Sequence, residues 1–288
     1  MNGQLAGAPI RAISPGLLGD TAARDYARKL RLFNAFAAPE LSQAIASLEL
    51  RDGMSLLDVG CGTGETLLRL RDAAGPGAEI IGIDLSAAHV QAARETVGDS
   101  ITVLQADVMT VPLPPASLDL IWSANTLNHV RDPVAVLRQL THLLRARGRI
   151  AIGQSALLPE LYFAWDSRLE RLACEAVRRY YEDRYGLGEH GLDSARNLLG
   201  WMQRAALRNL AVRTLVIERT APLRQADREY LLEVIFKGTW GERLRPYLAP
   251  ADFEALQRLC GPDNAEFALR RPDFHFIQTF TLVVGERS

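Results

Sequence analysis

The stretch Leu56–Glu65, LLDVGCGTGE, decides the fold. An apolar run enters three glycines, Gly60, Gly62 and Gly64, and an acid, Glu65, follows at once. Glycine lets a backbone turn sharply and lie close to a ligand. A strand that passes through such a turn into a helix is a common seat for a nucleotide. The turn alone decides nothing, because a tight strand-to-helix connection needs glycine with or without a ligand.

The flanking sequence puts this turn in a repeating frame. SLLDVG reads as a short strand and GETLLRLRDAA as a helix closed by Gly75. EIIGID is a second strand, and SAAHVQAARETV a helix with Ser86 as N-cap. ITVLQAD and LDLIWSAN are a third and a fourth strand. RDPVAVLRQLTHLLRARG reads as a helix capped by Asp132, with Pro133 in its first turn and Gly148 at its end, and GRIAIGQ as a fifth strand. Apolar strands alternating with amphipathic helices predict βαβ units and a mostly parallel sheet covered on both faces.

Upstream, Tyr26, Leu30 and Phe33 fall on one face of a helix in TAARDYARKLRLFNAF, and PELSQAIASLEL reads as a second helix. Residues 1–20, rich in Gly, Pro and Ala, are expected to form a flexible arm. Downstream of Ser155 the alternation stops. Residues 156–207 and 225–260 read as two helical insertions, while NLAVRTLVIERT and FHFIQTFTLVVG return to strand character. The organisation expected is a core over 21–155, an insertion over 156–207, and closing strands over 208–288 that carry the second insertion. Tyr162, Phe163, Trp165, Tyr180, Tyr181 and Tyr185 crowd the first insertion. Such rings serve equally as the core of a helical subdomain or as the lining of a pocket.

A net charge of −1 and the lack of any basic run argue against nucleic acid as the main partner. Hydrophobic residues at 48% allow a sizeable core. No stretch has the length of a membrane span, and no leader is read at the N-terminus. Cys61, Cys174 and Cys260 are odd in number and scattered. They give neither a disulfide framework nor zinc spacing and suit a reducing compartment such as the cytoplasm. No cluster with metal-ligand spacing is present, so no metal is expected.

Three acids narrow the ligand. In a dinucleotide fingerprint, G-x-G-x-x-G, the last glycine stands where this chain has Glu65. A carboxylate at that helix start would repel a pyrophosphate and tolerate a cation. Asp84 ends the second strand, at the spacing where an acid binds two ribose hydroxyls, and Asp107 ends the third, where it can accept from an adenine amino group. Each Asp alone could be a simple loop or helix cap. The series is better explained by a ligand with an adenine, a ribose, a positive charge and no phosphate. S-adenosylmethionine meets all four conditions.

The segment from Tyr26 to Gln154 resembles the class I S-adenosylmethionine-dependent methyltransferases, in their small-molecule branch of ubiquinone, sterol and natural-product pathways. The residues that carry the resemblance are LLDVGCGTGE, IIGIDLS, LQADV, LDLIWSANTLNHVRDP and LLRARGRIAIG. It implies a Rossmann-like α/β fold with a seven-stranded sheet, mostly parallel and with its last strand antiparallel, topped by helical cap insertions. It implies that Gly60, Cys61 and Gly62 run under the methionine and ribose, and that Asp84 takes the ribose hydroxyls. Leu85 would pack on adenine, and Asp107 with the Val108 amide would address the adenine edge. Asn125 would lie near the methionine, and Tyr26 in a lid over it. No acceptor signature comes with the resemblance; by residue type and position the acceptor is expected to meet Tyr26, His129, Trp165, Tyr181 and Trp201.

Methyl transfer from a sulfonium is an in-line displacement, driven mainly by positioning and exclusion of water. A base is needed only for an acceptor that arrives protonated. His129, His190 and Tyr26 are the candidates, and His129 reads more readily as a residue that holds its loop. The acceptor expected is a hydroxyl of a secondary metabolite, with N- and C-methylation as alternatives. A nicotinamide oxidoreductase and a non-catalytic partner subunit are the competing classes. The second insertion could serve as part of the cap or as the surface of a homodimer.

Overall fold

The computed structural model describes residues 26–156, 160–161, 165–186 and 194–288. The expected arm over 1–20, His190, Tyr162 and Phe163 lie outside the described residues. Five strands follow the predicted alternation: β1 (Ser55–Val59), β2 (Glu79–Asp84), β3 (Thr102–Gln105), β4 (Leu118–Ala124) and β5 (Leu144–Ser155). They lie parallel in the order β3-β2-β1-β4-β5. The order reverses at β1, whose neighbours are β2 and β4, and that reversal opens a crevice at the carboxyl ends of the strands.

The last strand, β8 (His275–Glu286), runs antiparallel to β5, and β7 (Arg208–Thr220) pairs with its other edge from Arg208↔Glu286 to Thr220↔His275. The two-residue β6 (Glu160–Leu161) meets Ile277 and Phe276, beyond the point where β5 has ended at Phe280. Because β7 occupies one edge of β8 along its whole length, β6 must share the edge used by β5. Among the described residues the sheet therefore has eight strands and is seven strands wide.

Alternate residues of the central strands feed two cores. Leu56, Leu120, Trp122 and Ala151 face one layer of helices. Leu57, Val59, Ile121, Ile150 and Ile152 face the other. The first layer contains α1 (Ala27–Phe36), α2 (Ala38–Ala46), α3 (Glu65–Ala74) and α4 (Ala87–Val97). The second contains α5 (Pro133–Leu143).

One boundary differs from the sequence reading. α5 ends at Leu143, not at Gly148, and Leu144 is already extended. The pairing jumps from Leu118↔Leu144 to Leu120↔Arg149, so residues of β5 are looped out, with Arg147 at a φ of 64°. A Cβ on Gly148 would lie 2.9 Å from the Arg145 carbonyl oxygen, so this glycine serves the bulge and not a helix end.

In the second half, α6 (Ser167–Tyr185) is capped by Asp166, which accepts from the Arg168 amide. α7 (Leu198–Arg204) packs on the α5 side of the sheet through Leu198 and Met202. α8 (Gln225–Tyr230) passes into a π-helical run, Leu231–Thr239, and a 3-10 run, Glu242–Tyr247, before α9 (Pro250–Cys260). Its Tyr230 ring stacks on Phe36 of α1 at 4.2 Å.

A buried ion cluster locks the two halves together. Arg219, at the end of β7, donates to Asp227 Oδ1 at 2.9 Å, to both Glu40 oxygens at 2.8 and 2.9 Å, and to the Phe36 carbonyl at 2.5 Å. α1 ends at that carbonyl and α2 begins just after it, so the guanidinium holds the joint between them.

Candidate functional site

The crevice at the β1 switch point is a cavity of about 640 Å³. Its floor is the glycine turn. The Gly60 and Cys61 amides donate to the Ile83 carbonyl at 2.8 and 3.0 Å, which draws the turn onto β2. Gly60 has a φ of +74°, and a Cβ there would meet Thr126 Oγ1 at 2.2 Å. Gly62 has a φ of +53° and faces Leu30 of α1, whose Cδ1 would lie 3.0 Å from a Cβ. Both positions need the freedom that only glycine has.

Asp84 braces this floor. Its Oδ2 accepts from the Gly62 amide at 3.0 Å, and its Oδ1 accepts from the Ser86 amide at 2.9 Å. Asp107 Oδ1 accepts from the Met109 amide at 2.9 Å and caps the short 3-10 turn Val108–Thr110. The simple capping role of each acid is thus real, yet both carboxylates line the cavity. Asn125 sits at a φ of 53°, and its Oδ1 accepts from the Ser155 amide at 2.8 Å and from Gln154 Nε2 at 3.1 Å. That side chain fastens the end of β4 to the end of β5.

Tyr26, Gly60, Cys61, Gly62, Asp84, Leu85, Asp107, Val108, Asn125 and His129 all line this one cavity, and Leu30 and Phe33 of α1 join them. His129 closes a 3-10 turn, Leu127–His129, with its amide donating to the Thr126 carbonyl at 2.9 Å. Trp165, Tyr181 and Trp201 do not line it. Trp165 is buried against Trp240, with ring centroids 5.4 Å apart. Tyr181 meets Tyr180 edge-on at 5.5 Å and lies under the Arg243 guanidinium. Trp201 packs into the α5–α7 layer. Large rings bury most area in whichever core they reach, and these three reach other cores.

Glu65 also departs from the sequence reading. Its Oε2 accepts from Asn34 Nδ2 at 2.8 Å and from the Thr63 hydroxyl at 2.6 Å, and Arg31 Nε lies 3.9 Å from Oε1. It holds α1 to α3 and is not among the lining residues. Asp58, which the sequence reading passed over, lines the cavity beside Asp84. Asp58 lies in β1 with 2% of its surface exposed, and its Oδ2 has no hydrogen-bond partner among the described residues. Burial, with the charge of Asp84 adding to it, pushes its carboxyl up to about 8. Burial and the same two acids push the Cys61 thiol up as well, so it stays a neutral wall. The signal in the sequence was an acid inside the apolar run LLDV, where a central strand should carry none without a use.

These features fit an adenosyl ligand carrying positive charge. A glycine cradle gives it room, Asp84 and Asp107 stand at successive strand ends, and a buried carboxylate oxygen awaits a donor. A pyrophosphate would be set against the Asp84 carboxylate, and a carboxylate on Asp58 is favoured by a cation. Among the described residues, no group of three or more His, Cys, Asp or Glu could hold a metal ion, and no helix is long and apolar enough to cross a membrane.

Known proteins share this fold. A solved structure of a SAM-dependent methyltransferase from Aquifex aeolicus superposes with a TM-score of 0.50 at 21% identity, over 67% of this chain and 93% of that one. It shares the fold. A 27-O-demethylrifamycin SV methyltransferase from Amycolatopsis mediterranei is 36% identical over 129 residues, 43% of this chain and 47% of its own. A demethylmenaquinone methyltransferase from Shouchella clausii is 27% identical over 154 residues, 50% of this chain and 66% of its own. The chain thus spans about half to two thirds of the length of these curated relatives. A family model described as a methyltransferase domain matches residues 50–203, from the residues before β1 to α7. That match takes in the glycine turn, both strand-end acids and more than half of the chain, and the protein belongs to the methyltransferase domain family.

Proposed function

We propose that this protein transfers a methyl group from S-adenosylmethionine to a small-molecule acceptor, and that the accepting atom is a hydroxyl oxygen of a secondary metabolite. The observation that carries the cofactor is the buried Asp58 together with the half-buried Asp84, both lining the cavity beside the glycine turn. The hydroxyl is supported by the Amycolatopsis relative, which is named as the methyltransferase of an O-demethyl compound.

S-adenosylmethionine, when bound, supplies a methyl group on a positively charged sulfur. The chain's part is to hold, orient and dry. Asp84 and the turn of Gly60–Gly62 would hold the ribose, and Asp107 with the Val108 amide the adenine edge. Asp58 would favour positive charge at the methionine end. Tyr26, Leu30 and Phe33, on one face of α1, wall the cavity from water, which strengthens these charge interactions. His129 lines the same space and would take the proton of the acceptor hydroxyl.

Transfer of radiolabelled methyl from S-adenosylmethionine to a panel of hydroxylated compounds tests the reading. S-adenosylhomocysteine should raise the melting temperature and NAD should not. The reverse result would favour a nicotinamide enzyme. Binding without transfer to any acceptor would favour a non-catalytic partner.

Asp84→Asn should weaken S-adenosylmethionine by about 1.5–3 kcal/mol, the worth of charge-assisted bonds to the ribose. Calorimetry checks it, and an unchanged dissociation constant would remove the ribose from Asp84. His129→Ala should slow turnover by at least ~10²-fold, erase the limb of the pH–rate profile near neutral pH and leave cofactor affinity alone. If His129→Asn restores most of the rate, the side chain holds its loop and is not a base.

A further inference from the structure

α1 stands on the wall of the cavity, and its first turn meets a side chain from α4. Tyr26, at the N-terminal boundary, makes no side-chain cap, and no acid lies in the first turn. The amides at a helix start must find acceptors outside the helix. The Tyr26 amide donates to His89 Nε2 at 3.1 Å, across 63 positions of sequence.

His89 lies in the first turn of α4, buried to 9% exposure, and its amide donates to the Ser86 side chain at 3.3 Å. A ring nitrogen that accepts from an amide carries no proton. The imidazole is therefore neutral with its proton on Nδ1, an assignment made from the hydrogen-bond network. That Nδ1 faces Asp84 Oδ1 at 3.3 Å, where an N–H can donate. The two neighbours demand the same tautomer, as when a carboxylate orients an imidazole from one side for work on the other.

The opposite end of α1 is held differently. The Arg219 guanidinium fixes the Phe36 carbonyl, and Glu65 accepts from Asn34. Between these anchors lie Leu30, which faces Gly62, and Phe33, which lies 5.9 Å from the Tyr230 ring. The end of the helix that His89 meets is thus the end opposite the buried ion cluster.

We infer that His89 is a positioning residue that ties the first turn of α1 to the Asp84 carboxylate, so that Tyr26, Leu30 and Phe33 stand in register over the cavity. The carboxylate that braces the glycine turn also sets the imidazole tautomer, and that tautomer presents the lone pair that α1 uses. Order in the floor of the site is thereby passed to its wall. Where it concerns the cofactor, the inference rests on the reading of Asp84 given above.

His89→Leu keeps much of the volume and removes both polar atoms. His89→Gln keeps an amide oxygen to accept and an N–H to donate. Three measurements test the inference. Nitrogen-15 spectra of the wild-type protein should show His89 neutral and protonated at Nδ1. Amide exchange over residues 26–36 should be at least ~10-fold faster in His89→Leu than in wild type, with no ligand present, and should return most of the way in His89→Gln. Affinity for S-adenosylhomocysteine should fall at least ~10-fold in His89→Leu and recover in His89→Gln.

Exchange over 26–36 that is the same in wild type and His89→Leu overturns the inference, as does a proton on Nε2. If His89→Leu does not fold, the spectra and His89→Gln, which should keep near wild-type exchange, decide the matter. If S-adenosylhomocysteine fails to bind wild type, the cofactor reading falls, and the two ligand-free measurements still judge the tie between His89 and α1.

Discussion

Asp58→Asn should melt above the wild-type protein at pH 8.5 and bind S-adenosylmethionine at least ~10-fold more weakly. The first half follows from linkage. The Asp58 carboxyl goes from 3.8 to about 8 on folding. Between those values the folded state holds a proton that the unfolded state has lost, so stability falls as pH rises through the window and the whole penalty stands above it. An amide does not ionise and escapes the penalty. Each unit is worth about 1.4 kcal/mol, so the gain amounts to a few kcal/mol, or at least about 4 °C for a domain of this size. Near pH 4 the two proteins should melt together. Equal melting at both pH values would mean that the carboxyl is satisfied in a way its buried oxygen does not suggest. The second half follows because a cation near Asp58 favours the carboxylate. Wild type at pH 7 should release a proton as the cofactor binds, seen as a binding enthalpy that changes with the buffer. Asp58→Asn should lose that part of the change.

Gly62→Val should abolish cofactor binding while the protein stays folded. The φ of +53° is strained for a β-branched residue, and the new side chain would push against Leu30 where the turn meets α1. Leu30 offers only the tip of a flexible side chain at 3.0 Å, so the fold can yield. Gly60→Ala should behave in the opposite sense, with a large loss of stability. Its Cβ would fall on Thr126, whose Oγ1 lies 3.2 Å from the Val59 carbonyl and 3.1 Å from that of Ala124. Calorimetry and thermal melting on the two variants separate the roles. Tight binding by Gly62→Val would make the turn a packing device only.

The sheet was legible because its signals are local. Each of β1 to β5 is an apolar run bounded by a turn or a cap, and Ser86, Asp107 and Asp132 cap the turns and helices that follow, as their residue types predict. The turn, Asp84 and Asp107 were placed at strand ends by the same local signals, and all of them line one cavity. What failed was tertiary. Glu65 sits at the predicted helix start, yet its partners Asn34 and Arg31 lie about thirty positions upstream, and no periodicity links them. Gly148 looked like a helix stop because glycine marks bulges and helix ends alike. Trp165, Tyr181 and Trp201 were assigned by ring type, and ring type says only that a residue seeks burial. His89 read as one more residue of α4 until Tyr26 was brought to it.

The Arg219 cluster has a consequence for the order in which the protein is made. Glu40 waits 179 residues for Arg219, and the Phe36 carbonyl 183. Contacts of such separation form late, since a long loop must close first. α1 thus leaves the ribosome early in synthesis but reaches its berth only after β7 and Asp227 have followed. A chain cut before Arg219 keeps the glycine turn and both strand-end acids, but it lacks the cation that seats the helix above them. The stretch that the family model matches, 50–203, holds the glycine turn and both strand-end acids but not α1, whose Leu30 and Phe33 line the same cavity.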